Sequence, residues 1–134
     1  RPNQFCNLSE VVIRATDGLE DIARKVRVAT ILGTIQSTYT NFPYLRKVWT
    51  TNTEAERLLG VSLTGIMDNP LMTMDNEGLS DTLEYLKDVA VTTNADWADR
   101  LSIPAATAIS CVKPSGTVSQ LITLELYVVI TKIL

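Results

Sequence analysis

The chain has 134 residues, of which 46% are hydrophobic and 20% charged, and its formal net charge at pH 7 is -3. This length is sufficient for one modest domain with a buried core, and the acidic balance excludes a general nucleic-acid surface. The chain contains two cysteines and no histidine. The usual zinc sites, catalytic imidazoles and a framework of several disulfides are therefore excluded within these residues.

The N-terminal part of the sequence predicts a strand followed by a long helix. The stretch "FCNLSEVVIRA" around Cys6 carries three consecutive apolar residues at 11–13, which is typical of a buried or half-buried strand. Asp17 with Glu20 three residues later resembles an N-terminal capping pair and indicates that a helix runs from about 19 to 37. The residues that recur at helical spacing are Leu19, Ile22, Ala23, Val26, Ala29 and Gly33.

The middle of the sequence predicts two short helices and a second strand. Pro43 ends the first helix, and another is expected to begin near Tyr44, because proline is tolerated in a first turn. The stretch "TNTEAERLLG" predicts a further short helix that ends at Gly60. The β-branched residues of "VSLTGIM", between Gly60 and "DNP", favour a strand.

The last third predicts one more helix and a third strand. Apolar residues recur on one face from about 79 to 97, which indicates a helix, and "TAISCV" is predicted to be a buried strand. Helices that alternate with apolar strands indicate an α/β fold with parallel pairing. Three short strands are too few for a closed sheet, so the chain is expected to be a piece of a larger domain.

A candidate anion site follows that third strand, in "CVKPSGTVSQL". Gly116 permits close approach of the backbone, and the hydroxyl groups of Ser115, Thr117 and Ser119 can donate hydrogen bonds. Lys113 precedes the glycine, which differs from the order of a Walker P-loop. The alternative interpretation is an ordinary strand-to-helix turn with Ser or Thr capping.

The two cysteines have structural interpretations when each is considered alone. Cys6 is then a small buried hydrophobic residue more often than a reactive thiol. Cys111, inside an apolar stretch, is interpreted as structural. Asn7 and Glu10 are interpreted as a turn residue and a solvated or paired carboxylate.

Three stretches taken together change this interpretation. In their order and separation, "FCNLSEVV", "TGIMDNP" and "KPSGTVSQL" resemble the catalytic subunit of ribonucleotide reductases, most closely the adenosylcobalamin-dependent ribonucleoside-triphosphate reductases. The resemblance covers residues 1–121. It implies that these residues are a fragment of a ten-stranded α/β barrel, in which a cysteine thiyl radical abstracts hydrogen from the ribose during conversion of ribonucleotides to deoxyribonucleotides.

The resemblance also implies roles for named residues. Cys6 matches one of two redox-active cysteines that supply the reducing electrons and become a disulfide. The segment that matches the substrate-phosphate loop of the family comprises Pro114, Ser115, Gly116, Thr117 and Ser119. No role in the family is implied for Cys111.

Cofactor, partners and location are expected from the same resemblance. It implies adenosylcobalamin as cofactor, a ribonucleotide substrate, a nucleotide effector and a thioredoxin-type reductant, with no metal ligand in this chain, no nucleic acid and no membrane. Chemistry that needs reduced thiols, together with the lack of a recognisable leader, favours a cytoplasmic location.

The sequence departs from the family in two respects. The radical-bearing cysteine lies in an Asn-x-Cys-x-Glu motif ahead of the position of Cys6, and neither that motif nor the second redox cysteine is found in these residues, so the chain alone is expected to be inactive. Asn7 and Glu10 have the wrong spacing to be that motif. Residues 122–134, "ITLELYVVITKIL", do not match and alternate as a strand does. A frameshift, a read-through into an interrupting element, a truncation or a variant ending would each account for them.

Two alternatives stay open. A reductase whose radical comes from an iron- or manganese-dependent partner subunit shares the same barrel chemistry. A non-catalytic remnant could instead keep the phosphate-binding loop without the radical machinery.

Overall fold

The structure is a computed structural model that describes residues 1–73 and 77–111. In chain order its elements are strand β1 (Asn7–Val12), helix α1 (Leu19–Gln36), helix α2 (Lys47–Glu56), strand β2 (Leu59–Thr64), short 3-10 helices at Ile66–Asp68 and Pro70–Met72, and helix α3 (Leu79–Arg100). The candidate phosphate loop at 113–119 and the C-terminal stretch 122–134 lie outside the described residues.

A parallel sheet organises the described residues. β1 pairs with β2 in a register that places Asn7 beside Leu59 and Val12 beside Thr64. The long connection through α1 and α2 is what parallel pairing requires. This confirms the prediction of a mixed α/β fold with parallel strands, whereas the ten-stranded barrel stays a prediction.

A third segment follows the other side of β2, but it is less regular than predicted. The Val61 amide donates to the Ile109 carbonyl at 2.9 Å, and the Cys111 amide donates to the Val61 carbonyl at 3.3 Å. Within the described residues this pairing amounts to a single parallel bridge between Val61 and Ser110. The segment was predicted to be a buried strand, and the predicted burial is wrong. Residues 107–108 are exposed and 109–111 half-buried, because this segment lies at the margin of the described sheet.

Helix α1 forms where the sequence predicts it, and its buried stripe faces the sheet. Ile22, Ala23 and Val26 are at most 3% exposed. The predicted capping pair is displaced by one residue: Gly18 is the N-cap, and the carboxylate of Asp21 accepts its amide at 3.2 Å. The side chain at the third helical position thus accepts the N-cap amide, which is one half of a capping box, while glycine has no side chain to supply the other half.

The prediction of helices from Tyr44 and through Gly60 is wrong at both ends. A single helix, α2, begins at Lys47 and ends before Arg57, whose φ of 43° is left-handed. The left-handed residue terminates the helix, and the chain enters β2 at Leu59, which is 2% exposed. Gly60 therefore lies inside a strand, because burial of its apolar neighbours in the sheet overrides the local helical pattern.

The core lies between the sheet and helices α1 and α3. Helix α3 begins at the predicted residue and packs Leu86 and Ala90 into that layer. The core cluster comprises Val11, Ile13, Ile22, Ala23, Val26, Ala29, Val61, Ile66, Met72, Leu86 and Ala90. In the part of the chain that the structure describes, none of the helices combines the length and apolar composition that a bilayer crossing requires.

Candidate functional site

The candidate redox residue, Cys6, directly precedes β1 and is exposed. The interpretation of Cys6 as a buried hydrophobic residue is therefore wrong. Its C-terminal neighbour is firmly held: the backbone amide of Asn7 donates to the Leu58 carbonyl at 2.8 Å, and Asn7 Nδ2 donates to the same oxygen at 3.0 Å. Asn7 is only 8% exposed. It acts as the first residue of the strand and not as a turn residue.

The residue on the other side of Cys6 is held by an aromatic cluster. The ring of Phe5 lies 4.8 Å from that of Phe42 and 4.9 Å from that of Trp49. These centroid distances are those of favourable aromatic pairs. The amide of Phe5 also donates to Thr53 Oγ1 at 3.3 Å. Since both neighbours of Cys6 are anchored, the position of its Cα is defined by the fold.

A glycine in β2 makes room for the sulfur of Cys6. Gly60 pairs with Leu8 in the parallel ladder. A Cβ added to Gly60 would lie 2.5 Å from Leu8 Cδ2, 2.8 Å from Cys111 Sγ and 3.1 Å from Cys6 Sγ. The first two distances are shorter than real Cβ contacts, so the space that any other side chain would need is occupied by these three groups. Glycine within a strand commonly marks such a close approach.

Both sulfurs lie on the face of the sheet that points away from α1. A Cβ on Gly33 of α1 would meet Leu59 at 3.5 Å, which shows that Leu59 faces the helix. Because side chains alternate along a strand, Gly60 faces the opposite side. The two cysteines are therefore separated from the core by the sheet itself.

A buried polar network directs the chain toward Cys111. Asn94 in α3 donates from Nδ2 to Thr34 Oγ1 at 2.9 Å, and its Oδ1 accepts the amide of Ala106 at 2.9 Å. The amide of Thr107 then donates to the Glu56 carbonyl at 3.0 Å. These bonds fix the entry of residues 106–111 beside β2.

The structure thus brings together two thiols that the sequence places at opposite ends of the chain. Cys6 and Cys111 are both in the thiol form, the first exposed and the second half-buried. Their sulfurs can be no farther apart than the sum of their two distances to the Gly60 Cβ position. Cys111 was not expected at this site. The signal that could have identified it is Gly60, whose role was obscured when the stretch "TNTEAERLLG" was interpreted as helical.

Charged groups near the N-terminus hold it against α2. The Glu56 carboxylate accepts Gln4 Nε2 at 2.7 Å and forms an ion pair with Arg1 at 3.2 Å. The hydrogen bond from Gln4, together with the positive guanidinium group of Arg1, outweighs partial desolvation and lowers the pKa of Glu56. Glu56 therefore remains ionised near neutral pH, where it can accept hydrogen bonds but cannot serve as a general acid.

The middle stretch of the resemblance, "TGIMDNP", has a structural role around Asn69. This side chain is 1% exposed. Its Nδ2 donates to the carbonyls of Arg14 and Asp17 at 2.8 and 2.9 Å, and its Oδ1 accepts the Leu71 amide at 2.9 Å. These three hydrogen bonds of the buried Asn69 side chain are all made with backbone groups. Asn69 joins the loop after β1 to the loop after β2.

The remaining predicted site residues lie outside the described residues: Pro114, Ser115, Gly116, Thr117 and Ser119. Among residues 1–73 and 77–111, no group of three or more His, Cys, Asp or Glu side chains could hold a metal ion.

Comparison with known proteins adds no assignment. No family model matches the chain, and neither a curated protein nor a solved structure matches it.

Proposed function

We propose that this chain is part of the catalytic barrel of a ribonucleotide reductase of the adenosylcobalamin-dependent type, with Cys6 as one of its two redox-active thiols and residues 114–119 as contacts of the substrate phosphates. In the complete enzyme the substrate is a ribonucleotide and the reductant a thioredoxin-type dithiol. Residues 122–134 take no part in this proposal.

One observation supports the proposal more than any other. The three stretches that carry the resemblance are far apart in the sequence, but "FCNLSEVV" contains β1, "TGIMDNP" follows β2, and the segment that leads into "KPSGTVSQL" runs parallel to β2. One sheet thus connects all three stretches, with Cys6 before the amino end of β1 and Asn69 beyond the carboxyl end of β2. A reductase needs its reducing thiol and its phosphate contacts on one framework, because both groups act on the same nucleotide.

The environment of Cys6 fits the role of a reducing thiol. Its backbone is fixed on both sides, by Phe5 and Asn7, while the residue itself is exposed. A thiol that delivers a proton and an electron and then bonds to a second sulfur needs a defined position together with access to its partners.

The cofactor in this proposal depends on the resemblance alone. No described residue is assigned to cobalamin, and no chemical step is derived through it. The class of reductase that draws its radical from a partner subunit differs at this point and has the same requirement for Cys6.

The proposal is tested by reading the DNA on both sides of this sequence and expressing the joined reading frame. We expect an in-frame Asn-x-Cys-x-Glu motif ahead of Arg1. We expect the joined protein to reduce ribonucleotides with adenosylcobalamin and a dithiol, and Cys6→Ser to abolish repeated turnover with the dithiol. Ala15→Ser, a matched introduction of serine at an exposed position before α1, should leave turnover unchanged.

Two results would overturn the proposal in different ways. Activity that is independent of adenosylcobalamin would transfer the chain to the class with a partner subunit. Start and stop signals directly around these 134 residues, with binding of inorganic triphosphate by the chain itself, would favour the non-catalytic phosphate-binding alternative.

A further inference from the structure

The sulfurs of both cysteines lie close to one glycine of β2. The Gly60 Cβ position lies 2.8 Å from Cys111 Sγ and 3.1 Å from Cys6 Sγ, although 104 residues separate the two cysteines in the sequence. A disulfide has an S–S length of about 2.0 Å. The two sulfurs reach bonding distance by rotation of the two cysteine side chains. The absence of a side chain on Gly60 leaves space for that rotation.

The backbone arrangement brings the two cysteines in from opposite sides of β2. Cys6 enters from the β1 side, next to the first ladder pair, Asn7 with Leu59. Cys111 enters from the other side, where its amide donates to the Val61 carbonyl at 3.3 Å. Cys6 lies outside the paired register of β1, which begins at Asn7, so local adjustment at this cysteine does not require the ladder between β1 and β2 to break.

We infer that Cys6 and Cys111 form a dithiol pair that is oxidised reversibly to an intramolecular disulfide by low-molecular-weight disulfides of the glutathione type. This inference goes beyond the proposed function, because it depends on the geometry around Gly60 and on no reductase chemistry. It assigns Cys111 as the resolving thiol and makes the Cys6 sulfur a site of redox modification within the chain itself.

The reaction proceeds in two exchange steps. The thiolate of Cys6 attacks one sulfur of oxidised glutathione, the S–S bond of glutathione breaks, and one glutathione leaves as a thiol. The thiolate of Cys111 then attacks the Cys6 sulfur of this mixed disulfide and releases the second glutathione. The two protein thiols lose two electrons and two protons, and one glutathione disulfide becomes two glutathione thiols.

Exposure determines the order of the steps. Cys6 is exposed and Cys111 half-buried, so the small disulfide reaches Cys6 first. Access to the attacking thiolate is one of the factors that set the rate of exchange. Cys111 needs to reach only the sulfur that is already beside it.

The test uses the full 134-residue chain, equilibrated in mixtures of reduced and oxidised glutathione, quenched with acid, alkylated and weighed intact. We expect a monomer that has lost two hydrogens, carries no glutathione and has no thiol left to alkylate. The equilibrium constant gives the effective concentration of one thiol at the other. This concentration should be on the order of 100-fold higher in the folded chain than in guanidinium, where only loop closure brings the thiols together.

Three variants test the residue assignments. In Cys111→Ser, Cys6 should accumulate as a stable mixed disulfide with one glutathione. In Gly60→Ala, the new Cβ displaces the sulfurs, and the effective concentration should fall. Gly33→Ala is the matched control, since its Cβ would meet Leu59 at 3.5 Å and neither cysteine; it should leave the effective concentration unchanged.

Three results would contradict a disulfide between Cys6 and Cys111. Equal effective concentrations in folded and unfolded chains, a glutathione on each cysteine, or disulfide-linked dimers on a non-reducing gel would each overturn the inference. If Gly60→Ala does not fold, the effective concentrations in folded and unfolded wild type still decide whether the fold brings the two thiols together. Failure here leaves the proposed reductase function untouched, because that function is tested by turnover of the joined protein and by the flanking DNA.

Discussion

Asn69 Nδ2 donates to the backbone carbonyl of Asp17 at 2.9 Å, across 52 residues of sequence. The same group also donates to the carbonyl of Arg14. We expect Asn69→Asp to lower the free energy of unfolding by about 2–4 kcal/mol, because two buried carbonyls lose their donor and a carboxylate is placed against them. Urea denaturation monitored by circular dichroism measures this change.

Asn52→Asp is the matched control for that substitution. Asn52 Nδ2 donates to the Pro2 carbonyl at 2.7 Å, but the bond is exposed to solvent, and water can replace the lost donor. We expect a loss below about 1 kcal/mol. Equal effects of the two substitutions would show that burial of Asn69 contributes nothing to the stability of the fold.

Acid should weaken the contact at the start of α1. Burial acts to raise the pKa of Asp17, but hydrogen bonds from Lys25 and from the Arg14 amide outweigh it and lower the pKa below the ordinary value of 3.8. The unfolded chain therefore binds a proton at a higher pH than the folded chain does. The stabilisation is complete above the ordinary pKa and is lost as the pH falls through the lowered one.

Urea unfolding between about pH 3 and pH 7 measures this effect. We expect the wild type to lose stability at the acid end and Asp17→Asn to lose less over the same range. Lys25→Met removes the charged partner of Asp17, whose carboxylate it contacts directly, and should flatten the profile in the same way. A variant profile parallel to the wild type would contradict the assignment to this pair.

The sequence predicts most of the fold where a single periodicity holds over a whole element. Helix α1 was expected from about 19 to 37 and occupies Leu19–Gln36, and α3 begins at the expected Leu79. In both helices a stripe of buried side chains repeats at helical spacing and meets the same core. When local propensity and burial agree in this way, the element can be predicted from the sequence.

The sequence fails where tertiary contacts override local pattern. "TNTEAERLLG" resembles one helix, but Leu59 and Gly60 belong to β2, because Leu59 is buried against α1 and Gly60 accommodates the two sulfurs. The meeting of Cys6 with Cys111 depends on strand pairing across the chain. No spacing between the two cysteines encodes it, and the helical pattern of "TNTEAERLLG" obscured the one local signal, Gly60, so Cys111 was not predicted.

The buried amide of Asn94 should control the segment that carries Cys111. Asn94→Ala leaves the Ala106 amide without its acceptor, which lies at 2.9 Å in the wild type, and we expect a loss of about 1–3 kcal/mol. Hydrogen exchange should also quicken at the Ala106 amide. Unchanged exchange at this position would contradict the role of Asn94 in fixing residues 106–111.

Two glycines should respond in opposite directions to the same substitution. Gly33 lies in α1, where an added Cβ meets Leu59 at an ordinary contact of 3.5 Å, so Gly33→Ala should raise the free energy of unfolding by up to about 1 kcal/mol through helix propensity. Gly65 has a φ of 76°, so Gly65→Ala should lower it by about 1–2 kcal/mol. Thermal and urea unfolding of both variants measure the two shifts. A loss of stability in Gly33→Ala would mean that helix α1 and strand β2 pack too closely at Leu59 to admit a methyl group.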